Sequence, residues 1–189
     1  MVPLTDRTAT GELEPGLLES CRAGDREAFR VLYDLYKDRV YSIALYFFQG
    51  DETSAADITQ QVFLKLITAI PQFKGDSAFS TWLYRLVVNA CQDAVRRRKH
   101  TLAATVENLT VPGSQEEDLV RSQMSRSIQD AIASLPPKLR LAVLLRYFDD
   151  LSYGQMADAL HCSMGTVASR LSRGHRMLAE KLQGLRGKR

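Results

Sequence analysis

Residues 73–99 read FKGDSAFSTWLYRLVVNACQDAVRRRK, a loop of small and aromatic residues followed by a helical segment that ends in four basic residues. This stretch carries six positive and two negative charges, net +4, whereas the whole chain is net +3. Aromatic side chains beside a basic helix are typical of surfaces that bind and stack nucleic acid. They fit equally a helix whose aromatic residues are core and whose basic end is solvated, so the rest of the chain decides between the two interpretations.

The composition is that of a globular protein whose charge is unevenly distributed. Of the 189 residues, 45% are hydrophobic and 25% are charged, which excludes a disordered polyelectrolyte. Residues 1–20 carry four acidic residues and one arginine, net −3, whereas residues 161–189 carry seven basic residues and one acidic residue, net +6. This asymmetry favours a polyanion as partner of the C-terminal end.

The cysteines and histidines predict neither a disulfide framework nor a metal site. Cys21, Cys91 and Cys162 are far apart and odd in number, which fits buried thiols in a reducing cytosol. The three histidines form no cluster with cysteine at metal-ligand spacing. No stretch approaches the roughly 18 consecutive apolar residues of a membrane span, and the N-terminus has no apolar signal core. We therefore expect a cytoplasmic protein with no metal, no cofactor and no membrane segment.

Nearly every periodic segment has the spacing of an α-helix, and no segment of useful length has the two-residue period of a strand. Asp25 is expected to cap the helix that follows it, and Ser54 with Asp57 resembles a capping box. One apolar helix face is expected to be core: Ile58, Val62, Phe63, Leu66, Ile67 and Ile70. The sequence therefore predicts an all-α fold.

A change of composition divides the chain. Residues 101–119 contain no Lys or Arg, four acidic residues and the pair Pro112-Gly113. They lack an amphipathic period, as is typical of a linker. We therefore predict two small helical domains, at residues 14–99 and 118–184, joined by a flexible acidic linker at residues 100–117.

Residues 152–178 have the pattern of a helix-turn-helix. Ser152 opens a capping box, Ala157 is small enough for a close helix crossing, and His161 tolerates the left-handed backbone of the turn. The second helix presents four residues at i, i+3, i+4 and i+7 on its outer face: Thr166, Ser169, Arg170 and Arg173. Such a helix reads bases in the major groove and binds phosphates. An ordinary helical hairpin with a solvated basic face is the alternative.

Five ordered motifs together resemble the extracytoplasmic-function (group IV, sigma-70 family) sigma factors of bacterial RNA polymerase. In chain order they are DREAFRVLYDLYKDRVYSIA, DITQQVFLKL, FKGDSAFSTWLYRLVVNACQD, LPPKLRLAVLLRYFDDLSYGQMADAL and MGTVASRLSRG. The similarity covers about residues 17–99 and 118–182. It implies that the first domain corresponds to sigma region 2 and the second to sigma region 4, with its helix-turn-helix.

The resemblance implies a core-polymerase-binding helix in region 2, docking on the clamp coiled coil of the β′ subunit. Its contact residues would be Asp57, Gln60, Gln61, Phe63 and Lys65. The family usually has Glu where this chain has Gln61, so this chain lacks the carboxylate of one charged contact to core. The partners implied are core RNA polymerase (β′ and β subunits), promoter DNA and an anti-sigma factor.

The resemblance also implies contacts with both promoter elements. The −10 element would be held as a single strand, with a flipped base, by Phe73, Lys74, Asp76, Ser77, Phe79, Trp82, Asn89, Arg96 and Arg97. The −35 element would be read by the helix that carries Ser169, Arg170 and Arg173. Ser163 stands where Pro is frequent and still can cap the helix, whereas Ala168 stands where Lys or Arg is frequent and removes a DNA contact.

Two other classes of function are alternatives to a sigma factor. A helix-turn-helix repressor or activator would bind duplex DNA on its own, but it has no need for residues 73–99. A nucleic-acid enzyme would need clustered carboxylates or an activated nucleophile. The acid clusters, residues 116–118 and 149–150, lie in the predicted linker and in a turn, so we expect no catalytic residues and no enzyme activity.

Overall fold

The computed structural model describes residues 13, 15–104 and 127–186, and every regular element within these ranges is helical. The first group of helices comprises α1 (Pro15–Arg22), α2 (Arg26–Phe47), α3 (Glu52–Ala69), a 3₁₀ turn (Ile70–Gln72) and α4 (Phe79–Ala104). The second comprises α5 (described over residues 127–133), α6 (Pro137–Asp149), α7 (Tyr153–Ala159) and α8 (Met164–Arg186). The all-α fold class is therefore confirmed.

Helix α4 is longer than the sequence pattern suggested. It continues to Ala104, so the first five residues of the predicted linker, 100–104, are helical. The remainder of that predicted linker, residues 105–117, and the predicted start of the second domain at residue 118 lie outside the described residues. The domain boundaries thus stay predictions.

Aspartate side chains cap the first turns of α2 and α3. The Asp25 carboxylate accepts from the backbone N–H of Glu27 at 2.9 Å, as predicted. The capping box expected at Ser54 is wrong, because α3 begins at Glu52 and its N-cap is Asp51. Asp51 accepts from the backbone N–H of Ser54 at 3.0 Å and from its hydroxyl at 2.6 Å. An N-cap of this kind contributes about 1 kcal/mol.

Helices α2, α3 and α4 pack on one another around an apolar core, with α1 laid against α2. Each helix turns one stripe inward because its apolar residues recur at the helical period. The fully buried side chains include Leu32, Val40, Ile43 and Phe47 of α2, Val62 and Leu66 of α3, and Leu83 and Val87 of α4. This core fixes the loop before α4 and the outer face of α3.

The C-terminal helices form the helix-turn-helix. Helices α6, α7 and α8 pack on one another, and Met156, Val167 and Leu171 are buried between them. The Ser152–Gln155 capping box is present at the start of α7. His161, in the turn, has φ of +48°, so the left-handed backbone predicted there is confirmed. The two groups of helices also contact each other, because α6 packs on α2 and α7 on α4.

Helices α6 and α8 approach closely at Gly174, and this sets a test of their packing. A Cβ placed on Gly174 would lie 2.8 Å from Cγ2 of Val143. Overpacking costs about 1–3 kcal/mol, which exceeds the roughly 1 kcal/mol that Ala gains over Gly in a helix. Gly174→Ala is therefore expected to lower the free energy of unfolding by about 1 kcal/mol, measured by urea denaturation.

Gly165 offers the matched control on the same helix. A Cβ there meets only the Ser163 hydroxyl, at 3.9 Å. Gly165→Ala is therefore expected to raise the free energy of unfolding by about 0.5–1 kcal/mol. Equal stabilisation by both substitutions would contradict the close approach of α6 and α8.

Candidate nucleic-acid and protein interfaces

The predicted recognition face of α8 is accessible. Ser169 and Arg173 are exposed, whereas Thr166 and Arg170 are half-buried. Arg173 donates to the Ser169 hydroxyl at 2.9 Å and to its carbonyl at 3.2 Å, which orients the guanidinium along the helix. All four predicted residues lie on one side of α8, because Val167 and Leu171 are buried on the other.

The N-terminus of α8 is capped by Ser163. The hydroxyl of Ser163 accepts from the backbone N–H of Thr166 at 3.2 Å and bonds to the Thr166 hydroxyl at 2.9 Å. The capping expected of Ser163 is thus confirmed. Ala168, where a basic residue is frequent among the proteins this chain resembles, is half-buried.

The loop between the 3₁₀ turn and α4 divides the predicted −10 residues into two sets. Lys74 and Asp76 are exposed and Ser77 is half-buried, so these three form a polar rim. Phe73 and Phe79 are each only 7% exposed. Their rings pack edge to face, with 5.7 Å between the centroids, which leaves the loop's polar rim as its accessible part.

Trp82 completes the aromatic cluster from the first turns of α4. Its ring lies 5.1 Å from that of Phe73 and 5.8 Å from that of Phe79. Arg22 of α1 donates to the Phe73 carbonyl and stands over its ring at 5.9 Å, which holds the loop against the helical core. The cluster therefore supports the loop from below while Trp82 stays half-buried at its edge.

One face of α4 carries polar groups that lead away from the loop. Trp82, Arg85 and Asn89 follow one another at helical spacing and are all half-buried. Nε of Arg85 is buried and makes no hydrogen bond with any residue in the described ranges. Arg85 was not among the predicted site residues. Its position, three residues after Trp82 and four before Asn89, places it on the same face of the helix as these two predicted residues.

The basic end of α4 is partly neutralised within the protein. Arg96, whose side chain is 75% exposed, pairs with Asp93 one turn earlier. Arg97 donates to the side-chain carbonyl of Gln61 at 3.2 Å. A residue predicted to bind the −10 element and one predicted to bind core polymerase are therefore neighbours on one surface.

Arg98 makes contacts within the protein that hold two helices together. It pairs with Asp51 at 2.9 Å, donates to the Ser54 hydroxyl and stands over the Phe48 ring at 5.0 Å. The Ser54 hydroxyl, then the Ser54 backbone N–H and then the Arg98 guanidinium hold the pKa of the Asp51 carboxyl below its usual value. The link fastens the end of α4 to the start of α3.

The outer face of α3 combines polar and apolar groups. Asp57, Gln60 and Lys65 are exposed, Gln61 is half-buried, and Phe63 is 8% exposed. Phe63 meets Tyr33 of α2 edge to face, with 4.7 Å between the ring centroids. Of the five residues predicted to contact core polymerase, Phe63 is therefore a packing residue at the base of the surface.

A groove of about 320 Å³ runs between α2 and α3 beside these residues. It is lined by Tyr33, Tyr41, Ala56, Thr59, Gln60, Phe63, Leu64 and Ile67. Leu64 is 57% exposed and Ile67 is 49% exposed. The prediction that Ile67 is core was wrong, because no described element covers that side of α3. The groove is an apolar surface that the sequence patterns did not indicate.

Two simple patterns, a metal-binding cluster and a membrane-spanning helix, do not occur in the described ranges. Residues 13, 15–104 and 127–186 contain no group of three or more His, Cys, Asp or Glu arranged for a metal ion. No helix there is both long enough and apolar enough to cross a bilayer. Cys21 and Cys91 are buried free thiols and Cys162 is a half-buried one, and burial raises the pKa of Cys91 to about 12.

Comparison with known families and proteins agrees with this arrangement. Sigma-70 region 2 matches residues 32–101, and Sigma-70, region 4 matches residues 125–178. The ECF RNA polymerase sigma factor SigW of Bacillus subtilis (strain 168) is 35% identical over 180 residues, covering 89% of this chain and 96% of SigW. The ECF RNA polymerase sigma-E factor of Escherichia coli (strain K12) is 37% identical over 182 residues, covering 89% of this chain and 94% of the relative.

Two solved structures share the fold. One is the structure of CnrH in complex with the cytosolic domain of CnrY, with a TM-score of 0.68 and 21% identity, covering 89% of this chain and 96% of that one. The other is the sigma factor RpoE in complex with the anti-sigma factor NepR from Bartonella quintana, with a TM-score of 0.68 and 22% identity, covering 82% and 96%.

Proposed function

Because this chain belongs to the extracytoplasmic-function sigma factors of bacterial RNA polymerase, we propose that it binds core polymerase through the α2–α3 groove and recognises promoters through α4 and α8. The observation that carries the proposal is the exposed polar face of α8 in a chain that also matches region 2. A duplex-binding repressor has no need for region 2, which argues against that alternative. The family is one of sigma factors, which are not enzymes, and we propose no catalytic activity for this chain.

Transcription in vitro with purified core polymerase tests the proposal. Promoter-specific transcripts are expected from a library of genomic promoters only when this chain is added, and mapping their starts would reveal both elements. Absence of any chain-dependent transcript across the library would refute it. A duplex affinity unchanged by core polymerase would instead favour the repressor.

The docking surface for core is the groove between α2 and α3 with its polar edge. Leu64 and Ile67 supply the exposed apolar area, and Asp57, Gln60 and Lys65 supply the polar edge. An apolar centre surrounded by polar groups is the anatomy of a protein interface. Gln61, where the family usually has a glutamate, accepts from Arg97, so its amide is part of this edge without a negative charge.

The −10 surface comprises the loop rim and the adjoining face of α4. Lys74, Asp76 and Ser77 on the rim, with Trp82 and Asn89 on α4, would hold the separated strand. Flipping a base costs a few kcal/mol, and stacking or pocket contacts of about 1–3 kcal/mol per base offset that cost. Phe73 and Phe79 would act by supporting the loop, and Arg96 and Arg97 would follow the phosphates.

Asn89→Ala is the sharpest test of this surface. We expect a loss of about 1–3 kcal/mol in binding of a single-stranded −10 oligonucleotide by the holoenzyme, with core affinity unchanged. The reason is that Asn89 is half-buried on the same face of α4 as Trp82 and is not among the residues that line the α2–α3 groove. Equal loss of DNA and core binding would show that Asn89 is merely structural.

The −35 surface is the outer face of α8. Arg170 and Arg173 are placed for guanine edges or phosphates, and Thr166 and Ser169 for neighbouring polar contacts. A good bidentate Arg–guanine contact is worth about 1–3 kcal/mol of discrimination. The −10 and −35 surfaces belong to one chain, so binding of one surface raises the effective concentration of the other. The overall affinity for the promoter therefore increases when core polymerase holds the two surfaces at the right spacing.

An anti-sigma factor is the proposed regulatory partner. A relative of the same fold was solved with the anti-sigma factor NepR, which supports the same kind of partner here. A cytoplasmic location follows from the role proposed with core polymerase and DNA. Copurification of the tagged chain with a protein that blocks its transcription would support this partner.

A further inference from the structure

The basic end of α4 contains three consecutive arginines whose contacts differ in charge. Arg96 pairs with a carboxylate on its own helix, and Arg98 pairs with one at the start of α3. Arg97 donates instead from Nη2 to the side-chain oxygen of Gln61 on α3, at 3.2 Å. Because Gln61 is a neutral amide, this contact holds a guanidinium without bringing a negative charge to it.

The position of this contact is fixed by the attachment of α4 to α3. Arg98 pairs with Asp51 at 2.9 Å and donates to the Ser54 hydroxyl. Ser54 and Gln61 are seven residues apart on α3, which at a rise of about 1.5 Å per residue is roughly 10 Å along the helix axis. The end of α4 is thus attached to α3 at two places, and the second is the contact between Gln61 and Arg97.

The two side chains of this second attachment differ in exposure. Gln61 is half-buried and precedes the fully buried Val62, whereas Arg97 is exposed. A side chain that is partly buried has fewer rotamers available to it than an exposed one. The amide is therefore the more fixed of the two groups, and an arginine oriented by a fixed acceptor loses less conformational entropy when a ligand binds.

The charge of the acceptor decides how strongly such an arginine attracts a phosphate. An amide and a carboxylate can both orient a guanidinium, but a carboxylate also offsets part of the attraction between the guanidinium and a phosphate. Contacts between arginine and phosphate supply the salt-dependent part of the affinity for nucleic acid, which does not depend on base sequence. The side chain at position 61 thus affects the strength of DNA binding and not its base preference.

We infer that Gln61 is a positioning residue for promoter DNA. Its amide oxygen directs the Arg97 guanidinium to the phosphates beside the −10 element and adds no negative charge next to it. This inference rests on the proposed function, since it gives a residue at the edge of the core-docking surface a role in binding DNA. Gln61 is not among the residues that line the α2–α3 groove, whereas its neighbour Gln60 is.

Gln61→Glu tests the inference on the holoenzyme, with core polymerase in excess so that every variant is bound to it. Glutamate keeps the shape of the side chain and adds one negative charge within reach of Arg97. The affinity for a labelled single-stranded oligonucleotide that carries the mapped −10 element is expected to fall roughly two- to fivefold at low salt. The slope of log affinity against log salt should decrease in magnitude by about 0.7, which corresponds to one phosphate contact on a single strand.

Two further variants isolate the contact between positions 61 and 97. In a chain that carries Arg97→Gln, adding Gln61→Glu should change the affinity by less than about twofold, because the cation on which the new charge acts is gone. Gln49→Glu is the matched control, since Gln49 is exposed in the turn between α2 and α3 and belongs to none of the proposed surfaces. The control adds the same charge and should leave the affinity and its salt slope equal to those of wild type.

Gln61→Met separates the orientation of the guanidinium from its charge. Methionine is similar in length to glutamine, but its sulfur is only a weak acceptor. We expect the affinity to fall by roughly twofold, as for an exposed hydrogen bond, with the salt slope unchanged because no charge is added. An affinity equal to that of wild type would overturn the positioning role.

The outcomes separate this inference from the proposed function. A wild-type holoenzyme that binds the oligonucleotide no better than core polymerase alone would refute the function, and this inference with it. Wild-type binding together with equal salt slopes for wild type and Gln61→Glu would overturn the inference and leave the function standing, as would equal effects of Gln61→Glu and Gln49→Glu. A loss in Gln61→Glu that disappears in the Arg97→Gln background supports the inference.

Discussion

Arg140→Ala is expected to lower the free energy of unfolding by about 3–5 kcal/mol, the largest effect of any single substitution proposed for this chain. Arg140 is 6% exposed, and burial lowers the pKa of its guanidinium. The side chain donates to four carbonyls, those of Phe47, Ile132, Ala133 and Leu135. Alanine would leave these acceptors in a dry site, where each lost partner costs about 1–3 kcal/mol unless water enters. Urea denaturation monitored by circular dichroism measures the change.

Two further variants sharpen this result. Arg146→Ala is the control on the same helix, since Arg146 is 38% exposed and donates to the Leu151 carbonyl at 2.9 Å. We expect its cost to be about 0.5–1 kcal/mol. Arg140→Lys should fall between, because an ammonium is a point charge and cannot match the planar fork of the guanidinium. If Arg140→Ala lowered the free energy of unfolding by less than Arg146→Ala does, the role assigned to Arg140 would be contradicted.

Leu64→Asp is expected to weaken binding to core polymerase by about 10- to 100-fold while leaving the fold intact. Leu64 is 57% exposed in the free chain, so a polar replacement costs little stability there. In the bound state the proposed interface would bury an unpaired carboxylate, which is unfavourable. Competition between labelled wild type and the variant for a limiting amount of core polymerase measures the loss.

Leu35→Asp is the control for that loss. Leu35 is 53% exposed and lies on α2 outside the groove, so the same substitution introduces the same charge on another surface. Its affinity for core should stay within about twofold of wild type. Equal loss by both variants would place the docking surface elsewhere on region 2.

Local patterns were sufficient for the helices and for the face of α8. The 3.6-residue period identifies which residues share a face, and Ser152, Asp25 and His161 have side chains or backbone preferences that act within a few residues. Those predictions were confirmed because their causes are local. The two-region organisation was identified by its motifs, and the matches at residues 32–101 and 125–178 agree with that order.

Local patterns failed where the outcome depended on residues distant in sequence. Ile67 has the period of a core residue, yet no described element covers it, and it borders the groove. Asp51 rather than Ser54 caps α3, and it is also the partner of Arg98 from 47 residues away. The composition of residues 73–79 did not show that Phe73 and Phe79 are buried, since that follows from their packing on each other and on Trp82.

By itself, therefore, the sequence determined the helical fold class, the family and which face of α8 is accessible, because helical period, capping and motif order are encoded within short segments. Only the tertiary structure decided which aromatic rings are buried, which arginines are already paired, and that Asp149 reaches 110 residues back to Arg39. Periodicity states which side chains point the same way, and what lies opposite them depends on how the helices pack. Burial and pairing are thus properties of the assembled chain.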